Sequence, residues 1–341
     1  GASSRSRIRQ GHLYREVDME RNDYSFQIIS ASRRTDIPNH YAAWFMQRIR
    51  EQFLLVRNAR DYHQVRKVDL SPGAVACIVF WTKDPQPLIQ FLPALSSYHY
   101  YFLYTINAYG PDIEPRTPPM GESIDRFKAL ADKLGSDRMV WRYDPILVNR
   151  SYPIGYHVES FNYISRKLEG YTDTCITSFV DPYKNTSRHA ADLQLTELDL
   201  PAMRRLMANF ATQASAHHIK VQTCAEPADF DDLGVVHGSC IDSQRIQRIT
   251  GLHIETARHP SLRPFCRCAP SIDIGTYNTC INLCKYCYAN YNERLIHANY
   301  ARSRSGSPLQ IGQLEKSDKL IERKVKAAGA QLALFDTLEK P

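Results

Sequence analysis

Six short apolar runs alternate along the chain with amphipathic segments, and this alternation restricts the fold more than any other feature. The runs are rich in β-branched and aromatic residues, as strands are. Strands separated by helical patterns are typical of repeated βα units around a parallel sheet, so the sequence predicts the α/β class. The predicted strands are Ile28–Ala31, Ala74–Trp81, Tyr98–Ile106, Met139–Tyr143, Thr174–Val180 and Ile219–Cys224, and a short last strand is expected at Ser271–Ile274.

The segments between the runs have the period of a helix. In the clearest one, Asp199 and Pro201 form a typical helix start. Six βα units in succession predict a (β/α) TIM-like or partial barrel over residues 27–300, preceded by a polar extension of residues 1–26. Other helices are expected near 38–51, 85–96, 121–134 and 154–169, and the clearest apolar stripe is Leu200, Met203, Leu206, Met207, Phe210 and Ala214.

Charged side chains recur directly after the predicted strands. In a (β/α) barrel the carboxyl ends of the strands meet on one face, from which catalytic groups are presented. The alternative is that they are ordinary turn residues, since Asp84, Asp144 and Asp181 each precede a proline. The candidate catalytic side chains are Arg33, Arg34, Asp36, Lys83, Arg142, Asp144 and Glu226.

The composition indicates a globular protein in a reducing compartment. Hydrophobic residues make up 43% of the 341 positions, and no apolar run approaches a membrane span or a signal core. The nine cysteines are an odd number, which favours thiolates on metal over disulfides. We therefore expect a cytoplasmic protein without a membrane partner. The net charge of +7 is compatible with a polyanionic partner and equally with an ordinary basic surface.

Five of the nine cysteines lie within residues 265–291, a density that indicates metal binding. Cys280, Cys284 and Cys287, here called the triplet, have the spacing C-x-x-x-C-x-x-C. Three thiolates at this spacing can hold three irons of a [4Fe-4S] cluster and leave the fourth iron open for chemistry.

Four further cysteines lie in the same half of the chain and could form a second metal site. Four thiolates are enough for a second, closed iron–sulfur cluster or for a zinc ion, and both remain open. These four, here called the quartet, are Cys224, Cys240, Cys266 and Cys268. A competing arrangement is one structural zinc bound by Cys266, Cys268, Cys284 and Cys287. Cys77 and Cys175 fall inside predicted strands and are expected in the core.

The triplet, with Tyr286 just before its last cysteine, resembles the cluster motif of the radical S-adenosylmethionine superfamily. Locally it is most similar to spore photoproduct lyase, which repairs a thymine lesion in DNA. The resemblance implies that the open iron binds the cosubstrate's amino and carboxylate groups. It also implies that reduction, by a donor such as flavodoxin or ferredoxin, releases a deoxyadenosyl radical. The superfamily usually carries this motif at the start of its barrel, whereas here it lies near the C-terminus.

A barrel tolerates such a permutation because its first and last strands are neighbours. The loop that follows the first strand would then lie beside the triplet, where Arg33 or Arg34 can bind a carboxylate. With Tyr286, these arginines are the candidate cofactor contacts.

From Ile28 onward the chain resembles a bacterial family known as domain of unknown function 1848. Three long motifs carry the resemblance: Ser30–Pro38 (SASRRTDIP), Phe80–Pro85 (FWTKDP) and Cys268–Gly275 (CAPSIDIG). That family carries a cysteine cluster likened to that of the radical superfamily. The resemblance thus implies an iron–sulfur protein without naming a substrate.

The last segment, residues 301–341, has a different composition. A Ser/Gly/Pro-containing stretch predicts a flexible linker, and a charged helix is expected over 311–328. The pentapeptide Gln331–Phe335 then resembles the bacterial sliding-clamp-binding motif, with Gln331, Leu332, Leu334 and Phe335 as the contact residues. The alternative is that these apolar side chains pack back on the barrel as a latch.

Together these features predict a radical S-adenosylmethionine-like iron–sulfur enzyme that acts on DNA bases in repair or modification and is recruited by the sliding clamp. One alternative is a hydrolase or nuclease with structural zinc, whose divalent metal is bound by Asp36, Asp144, Asp181 and Glu226. The other is a non-enzymatic iron–sulfur or zinc module that binds nucleic acid or a partner.

Overall fold

The computed structural model describes residues 26–180, 193–254 and 264–322. The strands are β1 (Gln27–Ala31), β2 (Phe53–Arg57), β3 (Gln64–Asp69), β4 (Val75–Thr82), β5 (Tyr100–Thr105), β6 (Met139–Ile146), β7 (Thr174–Phe179), β8 (Lys220–Thr223), β9 (Val236–His237), β10 (Ile272–Asp273) and β11 (Lys319–Glu322). The α-helices are α1 (Ile37–His40), α2 (Ala42–Glu51), α3 (Gln86–Ile89), α4 (Met120–Leu134), α5 (Ile154–Leu168), α6 (Leu200–Ser215), α7 (Ser243–Thr250) and α8 (Glu293–Arg302). None of these helices has the length and apolar character needed to cross a membrane.

Eight strands form one parallel sheet in the order β10-β1-β4-β5-β6-β7-β8-β9. The strands are added in one direction from β1 to β9, and β10 pairs with the free side of β1. The six predicted strands and the short last strand are therefore confirmed, with small shifts at their ends.

The predicted barrel does not close. Within the described ranges, β9 and β10 are the two edges of the sheet, and no ladder joins them. Each edge strand has only two residues, which is too short a run of hydrogen bonds to close a cylinder. The sheet is therefore an open parallel sheet that winds in one direction.

The outer face of the sheet is covered by helices. Phe80 on β4 packs edge-on against Phe45 of α2, with 5.5 Å between ring centroids, and Trp141 on β6 stacks on Phe161 of α5 at 4.8 Å. The helix predicted from the apolar stripe is α6, and the Asp199 carboxylate caps it by accepting the backbone N–H of residue 202 at 2.8 Å. Burying one side chain of this size completely stabilises the folded state by about 1.5 to 3 kcal/mol.

The inner face is covered by described residues from the segments 240–254 and 266–269. Ile241 and Ile246 pack there against strand side chains such as Val79 and Leu103. Cys77 also lies on this face and Cys175 on the outer one; both are fully buried, as expected for core residues. The strand ends beyond this cover are left open for a cavity.

A second, three-stranded sheet in the order β11-β3-β2 corrects the prediction for residues 301–322. This stretch is neither a flexible linker nor the start of a helix, because β11 pairs in parallel with β3. Leu309 is buried, and the Trp44 indole donates to the Ser307 carbonyl at 2.9 Å. The free edge of β3 thus fixes the backbone of a charged segment. The extension up to residue 25 and the Gln331–Phe335 motif lie outside the described residues.

Candidate metal centre

A cavity of about 1110 Å³ opens at the carboxyl ends of the parallel strands. Trp81, Thr105, Pro145, Ser178 and Cys224 line it, and these residues lie at or next to the ends of β4 to β8. Two cysteines of the triplet and all four of the quartet border the same cavity. The fold therefore gathers six of the nine cysteines around one space.

The triplet loop is held in shape by two asparagines. The Asn290 side-chain oxygen accepts the backbone N–H groups of Thr279 and Cys280 at 2.8 and 2.9 Å, and its amide nitrogen contacts the Cys287 sulfur at 3.4 Å. Asn278 has a φ of +54°, and its side chain accepts the backbone N–H groups of residues 291 and 292. Both ends of the loop are thus tied together, which orients the triplet before any metal binds.

The three triplet sulfurs are close enough to influence one another's charge. Burial raises the pKa of the Cys280 thiol, the neighbouring negative charges of Asp36 and Cys287 add to this, and the backbone N–H groups of Asn282 and Asp36 oppose it. Burial likewise raises the pKa of Cys284, where the Lys83 ammonium acts in the opposite direction. A coordinating metal acts against both shifts, because its binding releases the thiol protons.

Lys83 belongs to a buried polar network behind Cys284. Its ammonium lies 2.8 Å from the Glu114 carboxylate, and both side chains are largely buried. Burial disfavours the charged lysine, but Glu114 and the Cys284 sulfur outweigh it, so the pKa of Lys83 is raised. The hydroxyl of Tyr286 and the amide of Asn107 also donate to Glu114. The sequence predicted Lys83 and Tyr286 as site residues but missed Glu114, which no local pattern distinguishes.

The two predicted arginines lie at the junction of β1, β10 and the triplet loop. Asp273 at the end of β10 accepts hydrogen bonds from the Ser32 hydroxyl at 2.6 Å and the Arg33 backbone N–H at 2.8 Å, and pairs with the Arg33 guanidinium at 3.4 Å. The Arg34 guanidinium donates to the Gly275 carbonyl at 3.1 Å and lies over the Tyr277 ring. Both arginines border the cavity. Asp273, which anchors Arg33, was not predicted from the sequence as a site residue.

Asp36, predicted as catalytic, is a buried acceptor that joins three segments. Its carboxylate accepts the backbone N–H of Asn39, which caps α1, at 3.1 Å. It also accepts the Lys83 backbone N–H at 2.8 Å and the Asn282 side-chain amide at 3.2 Å. Asp36 therefore ties the loop after β1 to the end of β4 and to the triplet loop.

Arg142 and Asp144 form an ion pair on the opposite wall of the cavity. The Arg142 guanidinium lies 4.7 Å from the centroid of the Trp81 ring. Burial opposes its charge, but Asp144 and two quartet sulfurs outweigh that effect and raise the pKa of Arg142. This cation therefore faces the quartet, as Lys83 faces the triplet.

The acidic residues of the hydrolase alternative do not come together. Glu226 accepts the Phe179 backbone N–H at 2.7 Å. Within the ranges that the structure describes, Asp36, Asp144 and Glu226 form no group whose ligand oxygens lie mutually within 4.8 Å, and Asp181 lies outside those ranges. Among the described residues, these acids therefore form no divalent metal site.

One exposed group elsewhere, His63, Glu315 and Asp318, does bring its ligand atoms within 4.8 Å of one another. The Asp318 carboxylate is already engaged by both terminal nitrogens of Arg57, at 2.5 and 2.7 Å. A guanidinium in this position neutralises the carboxylate, so the group serves to anchor β11.

The quartet sulfurs lie in a row. The Cys240 thiol donates to the Cys224 sulfur at 3.4 Å, and the Ile241 backbone N–H donates to the Cys268 sulfur at 3.4 Å. The neighbouring thiols of Cys240 and Cys266 hold the pKa of Cys268 well below its usual range. Cys266 and Cys268 thus neighbour the other quartet cysteines, which favours the quartet over the mixed zinc site with two triplet cysteines. Among the described residues, neither set brings three sulfurs mutually within 4.8 Å.

The comparison with known proteins gives a family but no activity. The family model described as "Domain of unknown function (DUF1848)" matches residues 28–289, which include all of the parallel sheet, the triplet and the quartet. No curated protein and no solved structure matches the chain. Because the matched region covers well over half of the sequence, the chain belongs to the DUF1848 family.

Proposed function

We propose that the protein is an iron–sulfur enzyme of the radical S-adenosylmethionine type, with its [4Fe-4S] cluster on the triplet. The observation that carries the proposal is the triplet loop itself: C-x-x-x-C-x-x-C, pre-shaped by Asn290, at the carboxyl edge of a parallel sheet and beside a large cavity. Three protein thiolates leave one iron for a cosubstrate. The order of β10, cysteine loop and α8 also supports the resemblance noted from the sequence.

When bound, such a cluster supplies the electron that cleaves the cosubstrate's sulfonium, and it requires an external donor of the flavodoxin or ferredoxin kind. The protein's own part is to bind and orient. Arg34 is the better placed of the two arginines for a carboxylate, because Arg33 already pairs with Asp273 at 3.4 Å, while Arg34 is 3.9 Å from it. The phenol of Tyr286 is held protonated by burial and by Glu114, whose carboxylate it faces.

The lining of the cavity supports an anionic substrate. Six arginines and three aspartates border it, and one wall is the β2–β3 hairpin with Arg57 and Arg60. Aromatic rings such as Tyr288 and Tyr291 lie among these charges. Arginines interleaved with aromatic rings are the usual means of binding single-stranded or flipped-out nucleotides. With the clamp-like peptide Gln331–Phe335, this makes a DNA base the proposed substrate.

The cluster is tested by metal analysis of the full chain. Anaerobically reconstituted protein should contain about four irons with matching sulfide and absorb near about 400 nm. Replacing all three triplet cysteines with alanine should remove them, whereas Cys77→Ala, a buried thiol outside both groups, should not. Incubation with S-adenosylmethionine and a reductant should then yield deoxyadenosine. A wild-type protein without iron or sulfide, or a triple variant that keeps its iron, contradicts the proposal.

The DNA assignment has separate tests. Single-stranded oligonucleotides should bind with a strong salt dependence, and Arg60→Ala should weaken the binding at every sequence alike. Deleting residues 331–335 should abolish capture by a bacterial sliding clamp while leaving oligonucleotide binding unchanged. If the Arg60 variant bound the oligonucleotide with the same affinity at low salt as at high salt, the support for a polyanionic substrate would be removed.

A further inference from the structure

The quartet draws its members from three separate parts of the fold. Cys224 directly follows β8, Cys240 follows β9, and Cys266 and Cys268 lie in the segment that leads into β10. Apart from Cys266, which is half-buried, these thiols are at least nine-tenths buried. Four thiols that converge from distant segments are typical of a metal site. A cysteine that is buried only for packing does not need other thiols beside it.

The surroundings of the quartet are suited to sulfur ligands that carry negative charge. The indole N–H of Trp81, which is only 9% exposed, has no hydrogen-bond partner, and neither does the buried Nε of Arg142. Both residues line the cavity next to Cys224 and Cys240. Donors without partners are costly in a protein interior, and metal-bound thiolates are strong acceptors for them.

We propose that the quartet holds a metal ion through four thiolates, as a closed tetrahedral site for a borderline-soft cation such as Zn²⁺. Zinc–sulfur bonds of about 2.3 Å place the four sulfurs about 3.8 Å apart. The contact of 3.4 Å between the Cys224 and Cys240 sulfurs is already close to that separation. The row is not yet a tetrahedron, because no three sulfurs of the described residues lie mutually within 4.8 Å. Binding would bring the outer two, on Cys224 and Cys266, together.

Such a site joins the two edges of the open sheet. Cys224 and Cys240 extend from the β8–β9 edge, and the segment carrying Cys266 and Cys268 enters β10 at the opposite edge. Among the described residues, one backbone hydrogen bond, from the Ala269 N–H to the Ile241 carbonyl at 2.9 Å, connects these segments. The metal therefore supplies a cross-link where strand pairing does not close the barrel, and it fixes one wall of the cavity.

The site is tested by iron and zinc content in variants of the full chain, purified from medium that contains both metals. We expect about one zinc per chain in the wild type. The zinc should be lost in the double variant Cys224→Ser, Cys240→Ser and kept in the triplet variant. X-ray absorption at the zinc edge should show four sulfur neighbours at about 2.3 Å. Cys175→Ala, another buried thiol, serves as the matched control.

The outcomes separate this proposal from the proposed function, which it does not require. Zinc that follows the quartet while the wild type lacks iron supports the site and contradicts the triplet cluster. Iron lost with the quartet confirms a four-thiolate site but overturns the single-ion assignment. A wild type with no metal beyond the triplet's iron, or with a disulfide between Cys224 and Cys240, overturns the proposal. The absorption measurement on unaltered protein decides the question if the double variant does not fold.

Discussion

Replacing Gly275 with alanine tests how closely the triplet loop must approach the first strand. Gly275 lies just after β10, where the cysteine loop begins. A Cβ atom at this position would meet the Ser32 hydroxyl at 2.1 Å, the Ser32 Cβ at 2.7 Å and a Thr35 methyl group at 3.0 Å. Separations this short are not tolerated between heavy atoms, so the β1 loop and the triplet loop must move apart.

The magnitude follows from what Ser32 contributes. Overpacking by one methyl group in a close-packed site costs about 1 to 3 kcal/mol. The Ser32 hydroxyl also donates to Asp273 at 2.6 Å and accepts the Arg34 backbone N–H at 2.9 Å, and losing such bonds costs about 1 kcal/mol each. We expect Gly275→Ala to reduce the free energy of unfolding by about 3 kcal/mol, which lowers Tm by about 4 °C because the unfolding entropy of a 341-residue chain is about 0.7 kcal/mol/K.

The assay compares unfolding and iron uptake of the wild type and four variants: Gly275→Ala, Gly73→Ala, Ser32→Gly and the double variant of Gly275→Ala with Ser32→Gly. Gly73→Ala is the matched control, because a Cβ there has nothing within 4 Å, and its stability should change by less than about 1 kcal/mol. Gly275→Ala should also take up less iron during reconstitution. In the double variant with Ser32→Gly the colliding atoms are removed, so its loss of stability should be smaller than the sum of the two single losses. If the two single losses of stability add in the double variant, or if Gly275→Ala does not lower the stability, the close approach of Gly275 to Ser32 is refuted.

Three further changes have defined outcomes. Glu114→Gln leaves the buried Lys83 ammonium unpaired and should cost about 3 to 5 kcal/mol by urea unfolding, whereas adding Lys83→Met should restore part of that loss. Burial lowers the pKa of His157 below its ordinary 6.5. The contribution of His157 to the free energy of unfolding is therefore complete above pH 6.5 and is lost as the pH falls through the folded-state pKa. Urea midpoints should therefore drop between pH 7.5 and 5.5, and less steeply in His157→Gln. Leu309→Ala should cost about 2 to 5 kcal/mol, because the segment after α8 is packed, while the exposed Leu314→Ala should cost almost nothing in the same melts.

The sheet could be predicted from the sequence because its strands are buried on both faces. All eight residues of β4 are buried, which gives a continuous apolar run that a local pattern reveals. The β2–β3 hairpin was missed because its strands are half-buried and carry charges, as in β3 with its sequence QVRKVD. The helix predicted at 311–328 is wrong over its described part, up to residue 322, because here too the local pattern is charged and half-exposed. Lys319–Glu322 becomes a strand because β3 has a free edge, and the sequence of the segment itself does not contain that information.

The residues of the candidate site could likewise be predicted only in part from the sequence. The triplet is visible in the sequence because its ligands lie in one loop with a fixed spacing. Glu114 and Asp273 were invisible, since their roles depend on Lys83 and Ser32, which are distant in the chain and brought near only by the sheet. The charged residues predicted after the strands did reach one cavity in part. Asp36 borders that cavity as well, but Asp36 and Glu226 are occupied as acceptors of backbone N–H groups.

The two cysteine groups differ in what the fold must do before a metal can bind. The triplet loop spans only Cys280–Cys287 and is closed by the neighbouring Asn290, so ordering it costs little chain entropy. The quartet can form only after β8, β9 and β10 have found their places, because its ligands come from all three regions. A metal that binds the folded but not the unfolded quartet therefore stabilises the whole sheet, whereas a cluster on the triplet is loaded on a local element. This separation suits the enzyme that we propose: a cluster on the triplet would leave one coordination position free, and the metal proposed for the quartet would hold a wall of the same cavity.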